Sequence, residues 1–412
     1  MTRLLITAAG SYGDVAPYTG LGAGLRAAGY DVALASHRSF APLVEAAGLR
    51  FRELPDSPAT GRRAGSRTEL MRSASTFVQG LGGGLVDAAV RGADLLLLSA
   101  TTAPLGWQLA EAMRIPAVGA YLQPTHPTRA FAPVVGGTRS LGRIGNRALG
   151  AFSLRMVDHV YADAVRDLRA RLSLPAAAPG RVRARQERAR WPVLHGFSPA
   201  VVPRPADWRP GLEVVGNWWP HHDPADRLPP ELDDFLSAGP PPVFIGFGSM
   251  AGGEGDGERL SEIAVSALRT AGLRGVLQSG RAGLAGSGDD ILTIGEVPHA
   301  LLFPRVAAVV HHAGAGTSAA ALRAGAPAVP VPVAADQPFW AARLASLGAA
   351  TAPVPFEDLT APALADAIGR AVREGTHART ARRLARLLAA EDGAGHVAQA
   401  VERALRPRAA TL

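Results

Sequence analysis

The chain of 412 residues contains no cysteine and no lysine. The first absence excludes disulfides and thiolate metal sites, and it leaves the redox compartment unreadable from cysteine. The second means that all 43 basic residues are arginine. With 47 glycines and 33 prolines beside them, this reads as a bias of genome composition more than a functional signature. No run of 18 apolar residues occurs, and the first six residues enter a strand pattern without the apolar stretch of a signal peptide. Both features lead to the expectation of a cytoplasmic protein with no integral membrane segment. Aromatics are sparse, at 6%, and none interleave the arginine runs at 62–63, 181–190, 379–386 and 403–408. Nucleic-acid binding is therefore not expected. The net charge of +8 is assigned to solvated faces, with at most a weak field that attracts a small anion.

What is present is alternation. In the first half, strand patterns at 3–9, 31–37, 49–54, 94–99 and 115–122 alternate with helical spacing at 15–28, 39–47 and 104–114. A second series restarts at 243–247 and continues with strands at 275–278, 291–295, 307–310 and 328–333. Strand–helix alternation of this kind makes parallel sheets covered on both faces. The length suits two or three domains. We expect a first domain over 1–205, a Pro-rich linker over 206–240, a second domain over 241–390, and a C-terminal helix in 391–412 that packs back on the first domain. Residues 55–92 and 123–150 break the rhythm and are read as mobile loops facing a substrate, or else as plain surface insertions.

Three turns carry candidate chemistry. The first is "GSYGD", Gly10 to Asp14, after the first strand. Its glycines allow a sharp turn, and Asp14 falls at a helix start. Two readings stand side by side: an N-terminal cap, and a general base held ionised by the helix N-terminus. The second turn is "GFGSM", Gly246 to Met250, where amides and the Ser249 hydroxyl suit a phosphate oxygen. The third is "HHAGAGTS", His311 to Ser318, at a strand-to-helix junction. It is not a P-loop, which needs Lys where Thr317 stands. Helix N-terminal amides, a hydroxyl and an imidazole would make a phosphate pocket without lysine or metal. Nineteen residues after Thr317, Asp336 and Gln337 offer acceptors and donors for sugar hydroxyls. His221, His222, Asp223 and Asp226 could ligate a metal on paper, but a Pro-spaced linker is a poor cage.

The segment "HHAGAGTSAAALRAGAPAVPVPVAADQPFWAARLASLG" closely resembles the nucleotide-sugar signature of GT-B glycosyltransferases of the family-1 type. "GSYGDVAPYTGLGAGLRAAGYDVALASHRSF", "PPVFIGFGSM" and "IGEVPHALLFPRVAAVVHH" also look like this family, with a lean toward its sterol-glucosyltransferase and antibiotic-glycosyltransferase branches. The resemblance runs from the first strand to about Gly348. It implies a GT-B fold, two Rossmann-like domains facing across a cleft, and inverting transfer from a UDP- or dTDP-sugar to a hydroxyl of an apolar acceptor. Such an acceptor would be a polyketide, macrolide, sterol-like or other natural-product molecule.

Residue by residue, the resemblance makes Asp14 the base. His312, Gly314, Gly316, Thr317 and Ser249 meet the donor diphosphate, Asp336 and Gln337 the donor sugar, and Val297 the nucleobase. Tyr12, which stands where many relatives carry Arg, is expected at the acceptor mouth. Arg281 stands where many relatives have Trp. His126 is expected as an acceptor-site hydrogen bonder or second proton acceptor, or else as a plain loop histidine. No Asp-x-Asp pair was found, so neither metal nor cofactor is expected. Other readings are a non-catalytic sugar-nucleotide-binding partner of a transferase, and a GT-B epimerase or hydrolase. A nicotinamide oxidoreductase is weaker still, because Ser36-His37 stands where its acidic residue belongs.

Overall fold

The computed structural model describes residues 1–56, 67–135, 139–248 and 256–406. Ser249 and most of the Gly-rich acidic loop that follows it lie outside the described residues.

The first sheet has seven parallel strands: β1 (Arg3–Thr7), β2 (Asp31–His37), β3 (Arg50–Leu54), β4 (Leu95–Leu98), β5 (Ala117–Tyr121), β6 (Val193–His195) and β7 (Leu212–Val214), in the order β3-β2-β1-β4-β5-β6-β7. Helices α1 (Tyr12–Ala27), α2 (Ala41–Ala46), α3 (Arg67–Val90), α4 (Ala103–Met113), α5 (Gly142–Arg171) and α6 (Pro179–Arg188) belong to this half. All four leucines of β4 are fully buried, because helices cover both faces of the sheet. Each such side chain contributes about 1.5–3 kcal/mol of transfer free energy.

The second sheet has five parallel strands: β8 (Val243–Gly246), β9 (Gly275–Gln278), β10 (Ile291–Ile294), β11 (Ala308–His311) and β12 (Ala328–Pro330), in the order β10-β9-β8-β11-β12. Its helices are α7 (Pro230–Ser237), α8 (Asp256–Ala271), α9 (His299–Leu302), α10 (Ala315–Ala324), α11 (Gln337–Ser346), α12 (Ala361–Arg373) and α13 (Thr376–Ala389). The last helix, α14 (Gly393–Leu405), returns to the first half, where Val397, Ala400 and Val401 share a buried cluster with Leu4, Ile6 and Leu25.

Both sheets are doubly wound. In each, strand order reverses beside a central strand, between β1 and β4 and between β8 and β11. Ligands of such sheets sit at the carboxyl ends of the strands at this reversal. The turn at Gly10–Asp14 leaves β1, and the turn at His312–Thr317 leaves β11.

Three expectations are corrected. Residues 55–92 are not mainly a loop, since α3 fills most of that stretch. One of its glycines serves close packing: a Cβ on Gly84 would come within 2.3 Å of Pro55. Residues 142–150 likewise open the 30-residue helix α5 instead of continuing an irregular loop. The linker expected over 206–240 is structured. β7 pairs with β6, and α7 buries Leu232 and Leu236 against Phe244 and Phe303. Between β7 and α7 the chain crosses from the first half to the second, leaving Trp218 in the first, where its indole donates to the Gly393 carbonyl at 3.3 Å.

Candidate functional site

Ser11 caps α1, and Asp14 returns the interaction. The Ser11 backbone N–H and hydroxyl both donate to Asp14 Oδ2 at 2.8 Å. This capping box satisfies one of the orphan donors of the helix start. The N-cap is thus Ser11 and not Asp14, which stands at the third position of the helix; both bonds fall on one of its oxygens, and the side chain is exposed. The turn is held from behind by His37, which is buried. Its Nε2 accepts the Gly10 N–H at 2.9 Å, and its Nδ1–H donates to the Pro55 carbonyl at 2.6 Å. Gly10 has φ +142°, and a Cβ there would lie 2.5 Å from Asp14 Oδ2, so the turn requires glycine twice over. Tyr12 is 52% exposed, and partial burial with the charge of Glu296, on the opposite half, raises its phenol pKa.

The facing turn is built around two histidines with different tasks. His311 is fully buried, and its Nδ1 accepts the Ala313 N–H at 3.0 Å. His312 lies between two glycines. A Cβ on Gly248 would come within 2.8 Å of its ring, and one on Gly314 within 2.5 Å of its Nε2. Ala313 between them has φ 61°, a left-handed conformation that a non-glycine residue adopts only under constraint. Gly314 is the N-cap of α10, so the first amides of that helix are unpaired in the helix. A Cβ on Gly316 would meet nothing within 4 Å, so packing inside the protein does not demand glycine there.

Burial lowers the pKa of His312 to about 4 and that of His311 to about 3. The pocket expected to be positive thus owes that character to the helix dipole, because the imidazole is neutral at pH 7. His312 Nδ1 and Ser318 Oγ are sealed from solvent without a partner among the described residues. Val297, after β10, is half-buried against the cluster that holds Phe303.

Asp336 and Gln337 part company. Gln337 is 2% exposed, and its Oε1 accepts the Val333 and Ala334 amides at 2.8 and 3.2 Å. That oxygen shapes its own turn. Asp336 Oδ2 accepts from Gln123 Nε2 at 2.6 Å and from Trp340 Nε1 at 3.0 Å. Burial raises its pKa, these hydrogen bonds oppose the rise, and the charge of Asp14 adds to it. Asp14 and Asp336 are therefore near enough to sense each other across the two halves.

Sequence reasoning missed Gln123, Trp340, His37 and Glu296. Gln123 follows the carboxyl end of β5, where the general rule for such sheets places ligand contacts. His126 is not drawn into this group. Its ring stacks on Tyr121 at 5.8 Å and meets His195 and Trp208 edge-on at 5.4 and 6.0 Å. Burial lowers its pKa well below the usual histidine range. Arg281 is exposed. Among the described residues, no group of three or more His, Asp or Glu could hold a metal ion, and no helix is long and apolar enough to cross a membrane.

Comparison with known proteins identifies relatives along nearly the whole chain. Residues 4–81 match the glycosyltransferase family 28 N-terminal domain, and residues 276–404 match the erythromycin biosynthesis protein CIII-like C-terminal domain. The chain is 37% identical to an O-mycaminosyltylonolide 6-deoxyallosyltransferase of Streptomyces fradiae, over 97% of each chain. It is 30% identical to a sterol 3-beta-glucosyltransferase of Arabidopsis thaliana, over 95% of this chain and 64% of that protein. Among solved structures, the glycotransferase of kitacinnamycin superposes with a TM-score of 0.74 at 19% identity, over 98% of both chains. The glycosyltransferase VinC in complex with dTDP gives 0.70 at 21% identity, over 98% of this chain and 100% of that one.

Proposed function

Because the chain belongs to the GT-B glycosyltransferases of the family-1 type, we propose that it moves a sugar from a nucleoside-diphosphate sugar to a hydroxyl of an apolar natural-product or sterol-like acceptor, with inversion and without a metal ion. Asp14 accepts the acceptor's proton while the oxygen attacks the anomeric carbon. The bond from that carbon to the diphosphate breaks as the new C–O bond forms. Negative charge grows on the leaving diphosphate, where His312, Thr317 and the amides that open α10 stabilise it. A neutral imidazole does this by donating one N–H, and it gains a proton more readily once a dianion sits beside it.

The observation that supports this reading best is the pairing of the two turns. Asp14 and the His312 turn sit at the reversal points of two separate sheets, and Gln123–Asp336 ties those halves together. The donor is a dTDP- or UDP-sugar. The dTDP complex of VinC and the deoxyhexose named for the Streptomyces relative favour a dTDP-deoxysugar. Gln337 does not choose between sugars through its Oε1, which is already engaged by its own turn.

Calorimetric titration of the protein with dTDP, UDP, dTDP-glucose and UDP-glucose, with chelator present, tests the reading. Binding of one nucleotide family that disappears in His312→Ala supports it. Absence of binding to all four overturns it.

A further inference from the structure

Three polar atoms in the first half are sealed from solvent with no partner among the described residues, and they belong to one cluster of rings. They are His126 Nδ1, His195 Nε2 and Trp208 Nε1. His195 stacks on Trp208 at 4.5 Å, and the His126 ring lies 5.4 and 6.0 Å from these two. Tyr121 and Phe197 complete the wall. Buried polar groups are almost always paired, so three orphans in one place point to an absent occupant.

The chemistry of that occupant follows from the hydrogen inventory. His195 Nδ1 lies 2.9 Å from the Glu213 carbonyl, which can only accept, so Nδ1 carries the ring's hydrogen. The neutral ring then presents Nε2 as a bare acceptor. Trp208 Nε1–H is only a donor. His126 Nδ1 takes either role according to its tautomer. Burial keeps both imidazoles neutral at pH 7, with His195 lowered to about 4. A carboxylate or carbonyl would leave His195 unmatched, and an ammonium would leave Trp208 unmatched. A hydroxyl oxygen, which both donates and accepts, satisfies the set.

We propose that His126, His195 and Trp208 form a subsite for one hydroxyl oxygen, filled by a hydroxyl of the acceptor remote from the reacting one or by a trapped water. The placement rests on the reading of the first half as the acceptor-binding half. His126 lies in the loop after β5, three residues beyond Gln123, which reaches Asp336 across the cleft. Apolar rings around a matched donor and acceptor would orient a ring-shaped acceptor by its far end.

The test joins crystallography to calorimetry. A high-resolution crystal structure of the free protein is expected to show an oxygen within hydrogen-bond distance of all three atoms. Titration with androstanediol and with androstanol, which lacks one hydroxyl, separates the two sources. If the acceptor's hydroxyl takes the site, the diol binds roughly five- to tenfold tighter. Trp208→Phe, or His126→Phe if the first variant folds poorly, then removes that preference. Equal binding, with the oxygen retained, assigns the site to a trapped water. A dry cluster with no preference between the two steroids overturns the proposal. The affinity for dTDP is measured in parallel: its absence would count against the transferase reading alone, because the oxygen is judged without it.

Discussion

Gln123 Nε2 donates to Asp336 Oδ2 at 2.6 Å across 213 positions of sequence, and Trp340 Nε1 reaches both partners at 3.0 Å. This triangle joins the two halves. Its hydrogen bonds oppose the upward shift that burial imposes on the Asp336 carboxyl.

Replacing Gln123 with Leu removes a charge-assisted bond and leaves Asp336 partly buried beside an apolar side chain. A bond of this class is worth about 1.5–3 kcal/mol. The KM for the nucleotide sugar is expected to rise about tenfold or more, with little change in the affinity for the free nucleoside diphosphate. Steady-state kinetics beside calorimetry reads the split. Equal losses for both ligands would mean that the triangle serves the whole domain arrangement instead of the sugar.

Gly314 and Gly316 are expected to fail differently. A Cβ on Gly314 drives into His312 Nε2, whereas one on Gly316 meets only open space. Neither glycine has a positive φ, so neither alanine strains the backbone. Gly314→Ala should displace the ring and weaken dTDP or UDP binding. Gly316→Ala should leave the melting temperature unchanged and weaken nucleotide binding only by crowding the ligand. Calorimetry and thermal melts of both variants check this, and unchanged affinity in Gly314→Ala would separate His312 from the diphosphate.

A third prediction concerns the crossing between halves. A Cβ on Gly20 would lie 1.8 Å from the Trp219 carbonyl oxygen, and the neighbouring Thr19 hydroxyl accepts the His221 N–H at 2.9 Å. Because the obstacle is backbone, Gly20→Ala is expected to cost about 1–3 kcal/mol in denaturant unfolding. A variant as stable as the parent would show that the crossing segment yields easily.

Acid should destabilise the fold through its buried histidines. Burial lowers His195, His299 and His312 to about 4 and His311 to about 3. The unfolded chain binds protons near pH 6.5, and the folded chain does not until about pH 4. The contribution of these groups is complete above pH 6.5 and is lost as the pH falls toward 4. Calorimetric melts are expected to drop across that window. His299→Phe, which keeps the stacking on Phe303, should make the drop shallower. An equally steep fall in that variant would remove His299 from the account.

Much of this architecture was legible in the chain. The run Leu95–Leu98 announced a strand buried on both faces, and the glycine-flanked turns lay at strand ends in the sequence as they do in the fold. Helices α3 and the start of α5 were not legible. Glycine there opposes a helix, the arginines mark no apolar face although they favour helices, and tertiary packing against Pro55 and neighbouring helices decided the outcome. β7 was hidden because Leu212–Val214 is too short for a periodic pattern and lies among prolines. The roles of Asp336 and Gln337 could not be separated by sequence. Adjacent residues at the start of a helix point in different directions, and only the fold shows that one faces Gln123 while the other folds back on its own turn.

Asp14 is proposed to take the acceptor's proton, and replacing its carboxylate with an amide probes that role. Asp14→Asn keeps the size of the side chain and the carbonyl oxygen that Ser11 can still approach, but it gives up the negative charge. With dTDP- or UDP-sugar donor and an accepted aglycone, transfer is expected to fall by about two orders of magnitude or more, while calorimetric binding of the nucleotide stays at the parental value. Transfer close to the parental rate, with binding intact, would contradict the assignment of Asp14 as the base.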